Sequence, residues 1–187
     1  MLFPVSLRAG PGGQLSISNS NSTDHTRIVL NDQATMQYEL DKDASKFMST
    51  DASVPQIYTT SNGVNYAINE RPAADGFANL CVYIGSDDFF TITLDNEVDG
   101  CQVVLEDKVE GKKVVLTKEA GYTFLAKGGT YTNRFVLHFI DETMGIKEFI
   151  SDIQNNGAIF TTEGIRTMSQ SKKGIYIQNG KKIMLNK

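Results

Sequence analysis

The stretch Asn133-Arg134-Phe135-Val136-Leu137-His138-Phe139 decides the fold class, because its large apolar residues recur at every second position. Phe135, Leu137 and Phe139 are expected to share one face of a β-strand, since successive side chains of a strand point to opposite faces. Similar runs precede this stretch at intervals of roughly 8–12 residues, a spacing typical of a sandwich or barrel rather than of βαβ units. We therefore predict an all-β protein in which residues 14–141 form an antiparallel β-sandwich of the jelly-roll or immunoglobulin-like kind.

The other predicted strands of this region are rich in β-branched and aromatic residues and are separated by turn residues. They are Gln14–Ser18, Thr26–Leu30, Thr35–Leu40, Gln56–Thr60, Val64–Ile68, Asn79–Gly85, Phe89–Leu94, Cys101–Glu106, Lys112–Thr117 and Tyr122–Lys127. Asn62-Gly63 lies between two of them, and both of its residues can adopt the positive φ of a tight hairpin turn. Gly111 and the pair Gly128-Gly129 predict further reversals. For Asp41–Met48 we expect a single helical turn.

Composition and charge exclude several classes of protein. The 187 residues include 40% hydrophobic and 21% charged residues, as in an ordinary globular protein. The net charge of −4 is spread along the chain without a basic block, which argues against nucleic-acid binding. No stretch approaches the roughly 20 apolar residues of a membrane-spanning helix. Met1–Pro4 lacks a signal-peptide pattern and Ala9–Gly13 is glycine-rich, so residues 1–13 are expected to be the flexible leader of a mature fragment.

The hydrophobic period changes after Asp141, where four apolar residues follow the i, i+3, i+4, i+7 pattern of one helical face. They are Ile146, Phe149, Ile150 and Ile153. This pattern predicts a short amphipathic helix, with an extended linker as the alternative. Two short β-runs, Ala158–Thr161 and Ile165–Met168, follow it.

The strongest local signal lies in the last residues of the sequence. Gly174–Gln178, Asn179-Gly180 and Lys181–Asn186 have the composition of a strand, a two-residue turn of the favoured type and a second strand. An isolated hairpin is marginal in water, so this one needs a surface to pack on. We therefore predict three regions: a leader at 1–13, a sandwich at 14–141, and a short helix or linker with a small β-hairpin tail at 142–187.

Few residues offer catalytic or metal-binding chemistry. Cys81 and Cys101 fit buried small hydrophobic positions in strands, and a single disulfide between them is the less favoured alternative. Two cysteines and two histidines make a metal site improbable. No nucleophile-elbow pattern accompanies any Ser-His-Asp combination. We predict no cofactor, no metal and no enzymatic activity.

Two acidic groups and four tyrosines are the remaining candidates for a site. Asp87-Asp88 and residues 95–100 are dense enough in acidic residues for calcium or glycosidase chemistry, but both lie at strand ends, where such residues serve turns. The tyrosines are candidates for lining a glycan site, although their strand spacing suits packing just as well. They are Tyr58, Tyr66, Tyr83 and Tyr131.

Residues 158–182 resemble the type IX secretion sorting tail of bacterial surface proteins. That family shows a strand ending in an x-x-G-R-x-V element, then G-[IV]-Y-[IV] and a lysine-rich last strand. The first element is matched loosely, with Ile165 inserted between Gly164 and Arg166, and the second is matched well. The residues that carry the resemblance are Gly164, Arg166, Gly174, Ile175, Tyr176, Ile177, Asn179, Gly180, Lys181 and Lys182.

Tyr122–Lys127 and Asn133–Phe139 are in turn similar to the closing strands of the β-sandwich that precedes such tails in secreted adhesin-like proteins. The resemblance implies a non-catalytic C-terminal module of a secreted or cell-surface, outer-membrane-associated bacterial protein that serves adhesion, scaffolding or surface sorting. It implies the upstream domains of a larger parent protein as partners, together with secretion machinery or a surface glycan. The alternative is a carbohydrate-binding module that uses the sandwich tyrosines.

Overall fold

The computed structural model describes residues 12–72, 76–96, 98, 100–141, 159–161, 166–167, 174–178 and 181–185. These residues form strands, turns and loops without a helix among them, so the predicted all-β class is confirmed. The predicted helix or linker after Asp141 lies outside the described residues. The chain divides into two compact units, at residues 1–142 and 143–187.

The strands follow the predicted runs closely in both units. Those of the first unit are β1 (Gly12–Ser18), β2 (Thr23–Leu30), β3 (Ala44–Ser45), β4 (Gln56–Ser61), β5 (Val64–Arg71), β6 (Phe77–Ile84), β7 (Asp88–Leu94), β8 (Cys101–Asp107), β9 (Lys112–Leu116), β10 (Tyr122–Ala126) and β11 (Gly129–Asp141). Those of the second unit are β12 (Ile159–Thr161), β13 (Arg166–Thr167), β14 (Gly174–Gln178) and β15 (Lys181–Leu185). Asn62 and Gly63 join β4 to β5 with φ angles of 49° and 79°, as their sequence predicts.

The first unit is one mixed sheet of 11 strands that curls nearly into a barrel. Its strand order is β10-β7-β1-β2-β5-β4-β6-β11-β8-β9, with β3 paired to the other side of β5. The sheet was expected to be antiparallel throughout, and this is wrong at one place: β2 and β5 pair in parallel, with Arg27 opposite Ile68 and Leu30 opposite Arg71.

β5 accounts for both the parallel pair and the continuity of the sheet. Its first residues pair with β4 from Val64 to Tyr66, and its later residues leave β4 and pair with β2 from Ile68 to Arg71. One strand thus joins the group β10-β7-β1-β2 to the group β4-β6-β11-β8-β9. Sequence patterns around residues 64–71 do not reveal this, because the choice of partner depends on where β2 lies in space.

Two local predictions fail in the segment before β4. Residues 35–40 form a loop and not a strand, and residues 41–48 contain a turn and the short β3 instead of a helical turn. Side chains satisfy the loop's backbone: Glu39 Oε1 accepts from the N–H of Thr35 at 2.7 Å, and Asp43 Oδ2 accepts from the N–H of Glu39 at 2.8 Å. A backbone whose donors are satisfied in this way needs no partner strand.

The core fills the inside of the curled sheet with alternate residues of almost every strand. Leu15, Ile28, Leu80, Ile92 and Phe135 are fully buried members of one hydrophobic cluster. The alternation predicted for β11 is correct on this side, since Phe135, Leu137 and Phe139 all belong to the cluster. Burial of this apolar surface is the main favourable contribution to folding.

A buried ion pair lies within this apolar core. Arg134 Nη2 donates to Asp107 Oδ2 at 2.7 Å, and the Tyr122 hydroxyl donates to the same oxygen at 2.9 Å. The guanidinium carbon lies 4.8 Å from the ring centre of Phe124 and 4.9 Å from that of Phe135. Burial by itself raises the pKa of Asp107. Hydrogen bonds from the Arg134 side chain, the Glu110 N–H and the Tyr122 hydroxyl outweigh the effect of burial and hold that pKa below its usual value.

Candidate functional site

An open cavity of about 610 Å³ lies over the strands β5, β4, β6 and β11, which are neighbours in the sheet. Its lining consists mainly of amide and hydroxyl side chains with one aromatic ring and one guanidinium group. The lining residues are Met36, Thr60, Ser61, Asn62, Asn65, Arg71, Phe77, Asn79, Thr132 and Asn133. Concave sites with a few convergent polar groups are the usual places for small ligands.

A bulge in β11 forms one side of the cavity. β11 pairs with β6 through Tyr131 opposite Val82 and then through Phe135 opposite Leu80, so three residues of β11 oppose Cys81 alone. Thr132 and Asn133 are exposed, whereas Arg134 is buried. The bulge therefore presents two polar residues to the cavity while the strand on either side keeps its pairing, a common use of bulges beside sites.

The opposite wall is the loop that precedes β3. Asn62 Nδ2 donates to the carbonyl oxygen of Met36 at 2.7 Å, and the Ser61 hydroxyl donates to the same oxygen at 3.4 Å. The tight turn between β4 and β5 thus anchors the loop. Because Asn62 has the positive φ that asparagine tolerates well, the hairpin signal in the sequence also places this anchor.

Three asparagines from three different strands reach the cavity with their amide groups unoccupied. Asn65 lies on β5, Asn79 on β6 and Asn133 on β11, and all three are exposed. Within the described part of the chain, none of their side chains forms a hydrogen bond with another residue. Each amide offers one acceptor and two donor hydrogens. The cavity therefore carries hydrogen-bonding capacity that the fold itself does not consume.

Arg71 and Phe77 complete the cavity. Arg71 is only 4% exposed, and its guanidinium lies 5.9 Å from the ring centre of Phe77, within cation–π distance. Its Nη2 also approaches the Met36 sulfur at 3.7 Å. The Phe77 ring is 45% exposed, a large fraction for an aromatic side chain at the first position of an interior strand.

A serine, an aspartate and a histidine also meet at a second place, in an order that does not suit nucleophilic catalysis. Asp95 lies in the middle: its Oδ1 accepts from the Ser16 hydroxyl at 2.7 Å, and its Oδ2 lies 3.0 Å from His25 Nδ1. A catalytic triad requires the histidine to contact the serine hydroxyl. Burial by itself raises the pKa of Asp95, but hydrogen bonds from Ser16, Gln14 and His25 have the larger effect. The pKa therefore lies below its usual value, and the carboxylate stays ionised.

Of the acidic residues singled out in the sequence, Asp87 and Asp88 accept hydrogen bonds from backbone N–H groups, whereas Asp95 contacts the side chains of Ser16, Gln14 and His25. Asp87 Oδ1 accepts from the N–H of Gly128 at 2.9 Å, and Asp88 Oδ1 accepts from the N–H of Phe89 at 2.7 Å. In the described residues no three His, Cys, Asp or Glu side chains come together in a way that would hold a metal ion. The turn interpretation thus agrees with the contacts of Asp87 and Asp88 and not with those of Asp95.

The two cysteines are free and buried. Burial raises the pKa of the Cys81 thiol to about 11, so the thiol stays protonated at neutral pH. Two of the four candidate tyrosines are also buried: Tyr58 is 3% exposed and Tyr66 is 1% exposed. Only Tyr83 and Tyr131 retain partial exposure, so the tyrosine-lined glycan surface is wrong for half of its members.

The second unit contains the residues that resemble a sorting tail. β14 pairs with β15 in the register that places Gln178 opposite Lys181, which leaves residues 179 and 180 as the whole connection. β12 adds to the other side of β14, and β13 adds to β12, giving a four-stranded antiparallel sheet. The predicted hairpin strands are thus confirmed. Gly164, Asn179 and Gly180 lie outside the described residues.

The comparisons with known proteins found no relatives of this chain. No protein-family model matches it, no curated protein is significantly similar to it, and no solved structure significantly matches its fold. No helix in the described residues is long and apolar enough to cross a membrane. The fold and the site define an all-β protein with an open cavity lined by amide side chains.

Sequence reasoning missed the cavity because its members are not neighbours in the chain. Asn65 and Asn133 are separated by 68 positions and meet because β5, β4, β6 and β11 are adjacent in the sheet. The one available signal was the set of asparagines inside strands, where asparagine is normally depleted. Asn65, Asn79 and Asn133 all occur within strands.

Proposed function

We propose that this chain is the non-catalytic C-terminal module of a secreted or cell-surface, outer-membrane-associated bacterial protein that serves adhesion, scaffolding or surface sorting. The four-stranded C-terminal sheet is the observation that carries the proposal. It supplies strands β12 and β13 ahead of the β14–β15 hairpin, as a small sorting domain would need. Its partners are the upstream domains of the parent protein and the secretion machinery.

The same proposal includes the division of the first unit into two halves. We take the first unit as a sandwich whose halves are the group β10-β7-β1-β2 and the group β4-β6-β11-β8-β9. β5 is the strand that forms backbone pairs with both groups, which supports this division. A sandwich of this kind leaves its outer faces available for contact with other domains.

We also propose that the chain has no enzymatic activity, because of the surroundings of Ser16 and Cys81. Ser16 donates its hydroxyl to Asp95 and not to His25, and Cys81 is a buried, protonated thiol. Ser16 thus lacks the histidine base of a catalytic triad, and the Cys81 thiol is not ionised. A test is to assay the purified chain against peptide, ester and polysaccharide substrates, for which we expect no turnover above a Ser16→Ala control.

Deletion of the tail tests the sorting role. Removing residues 174–187 from the full-length parent should abolish its surface display, measured by protease accessibility and antibody binding on intact cells. A matched control replaces the same residues with a flexible Gly/Ser segment of equal length, and this should fail in the same way. Surface display that is unchanged by the deletion would refute the sorting role. Loss of the thermal transition of the first unit would show that the tail is part of that fold.

Glycan binding is the second candidate function, and the amide-lined cavity favours it. The two buried tyrosines cannot present their rings to a sugar, so the binding surface has to be sought elsewhere. Asn65, Asn79 and Asn133 converge on one cavity beside an exposed aromatic ring. Screening the purified chain on a glycan array tests this function, with reproducible binding of at least one glycan as the expected result.

A further inference from the structure

The cavity formed by β5, β4, β6, β11 and the loop at Met36 has the size and location of a ligand site. Its volume of about 610 Å³ lies inside the range of about 300–1,000 Å³ for small-molecule sites. All four strands at its base are interior strands in the order of the sheet, while Thr60 and Ser61 pair with β5 alone and the bulge at residues 132–134 interrupts the pairing of β11 with β6. The cavity therefore lies within the sheet, away from its two end strands β10 and β9.

The polar groups of the cavity suit a ligand that carries hydroxyl groups. A sugar hydroxyl both donates and accepts a hydrogen bond, and a primary amide offers both functions side by side. Asn65, Asn79 and Asn133 carry such amides on three different strands, and Thr60 and Thr132 add hydroxyl groups. Since these side chains form no hydrogen bonds with other described residues, a ligand would replace only water.

The aromatic ring provides the apolar part of the same recognition. Phe77 is 45% exposed and borders the cavity, so one region of its ring is open to a ligand. The C–H groups of a pyranose form an apolar face that packs against an aromatic ring. Arg71 lies within cation–π distance of Phe77 and so packs beside the ring. A set of amides beside an exposed aromatic ring is a combination suited to sugars.

Charge selects between neutral and acidic ligands. Carboxylate and phosphate groups are most often held by accessible guanidinium or ammonium groups. Among the described residues that line the cavity, Arg71 is the one charged residue, and with 4% of its surface exposed it offers a ligand little of its guanidinium. None of these described lining residues is a carboxylate that would attract a cation. The remaining chemistry is that of a neutral, polyhydroxylated ligand.

We propose that this cavity binds one or two neutral sugar residues of a glycan, through the three asparagine amides and the Phe77 ring. The inference rests on the second candidate function, glycan binding, and is independent of the sorting role of the tail. It assigns the binding to residues that differ from the tyrosines suggested by the sequence. Phe77 and Asn79 are the residues whose loss should weaken binding most selectively.

The test uses the purified full chain, a glycan array of neutral and acidic glycans, and calorimetry on the glycans that bind. We expect neutral glycans to be selected. Phe77→Ala should weaken binding by at least about tenfold, and Asn79→Ala by about three- to tenfold, the loss of one or two hydrogen bonds. Both side chains are exposed, so neither change should alter the thermal transition measured by circular dichroism.

Matched controls remove the same side chains elsewhere. Phe89 is 64% exposed on β7 and Asn96 is an exposed turn residue, and neither lines the cavity. Phe89→Ala and Asn96→Ala should leave the dissociation constant within about twofold of the original. Binding that falls equally in the controls, or that persists in the Phe77 and Asn79 variants, overturns the cavity assignment while glycan binding itself stands. Selection of acidic glycans alone overturns the neutral-sugar assignment, and failure to bind any glycan at millimolar concentration overturns both.

Discussion

Removal of the Asp107 carboxylate should destabilise the first unit far more than removal of any surface carboxylate. Asp107 accepts hydrogen bonds from Arg134 Nε at 3.1 Å and from Nη2 at 2.7 Å, and it also accepts from the Tyr122 hydroxyl. Both members of the ion pair are buried, with 1% and 6% of their side chains exposed. The change Asp107→Ala would therefore leave a buried guanidinium without its counter-charge.

The expected magnitude follows from the charge and the burial. Two unit charges about 4 Å apart attract each other by about 4 kcal/mol at an effective dielectric constant of about 20. Breaking a buried pair by removing one partner costs about 3–5 kcal/mol in general. We therefore expect Asp107→Ala to lower the free energy of unfolding by about 3–5 kcal/mol. The control Asp88→Ala, at the start of β7, should cost no more than about 0.5 kcal/mol.

Urea unfolding followed by far-ultraviolet circular dichroism measures these free energies. The double variant Asp107→Leu/Arg134→Met should recover much of the loss, because it leaves no uncompensated charge in the core. A cost for Asp107→Ala below about 1 kcal/mol, or a double variant no better than the single one, would refute the reasoning.

Acid titration of the same proteins provides a second measurement. The pKa of Asp107 is lowered in the folded state, so its contribution is fully present above the unfolded value of about 3.9 and is lost as the pH falls through the lower folded value. The original protein should therefore lose stability on acidification below about pH 4 more steeply than Asp107→Ala does. Parallel pH profiles would argue against this role.

Two further predictions concern close approach and surface charge. Gly85→Ala should cost at least about 2 kcal/mol in unfolding free energy, because its Cβ would clash with the carbonyl oxygen of Ala52. Gly63→Ala has open space around its Cβ and should cost about 1 kcal/mol for its positive φ alone. An equal cost for the two glycines in thermal melts would contradict the proposed clash. His25→Ala should change stability by less than about 1 kcal/mol, because the His25 side chain is 54% exposed and its contact with Asp95 lies at the solvent-exposed surface. A larger loss in urea unfolding would show that this pair contributes to the core.

Local sequence pattern predicted the strands well wherever neighbouring residues set the structure. Asn62-Gly63 adopts the positive φ angles that its composition favours, and β11 keeps Phe135, Leu137 and Phe139 on the core side. The β14–β15 hairpin also has its predicted register. In each case the information lies within a few residues, since side-chain alternation and turn propensity are local properties.

The failures occur where distant residues decide. The loop before β3 takes its backbone hydrogen bonds from Glu39 and Asp43 side chains, so strand-like composition at residues 35–40 did not produce a strand. The four tyrosines considered as candidates for a glycan site are divided by the packing of the sheet, with Tyr58 and Tyr66 buried and Tyr83 and Tyr131 partly exposed. Alternation along a strand distinguishes its two faces but does not tell which face another segment will cover.

The sequence by itself determined that this protein is built of β-strands, where most of them lie, and that its last strands form a hairpin. Periodicity and turn chemistry are encoded within short stretches, which is why these features could be read directly. Tertiary structure alone decided the parallel pairing of β2 with β5, the burial of Arg134 beside Asp107, and the meeting of Asn65, Asn79 and Asn133 at one cavity. Each of these depends on strand order, and strand order is set by the packing of the whole core.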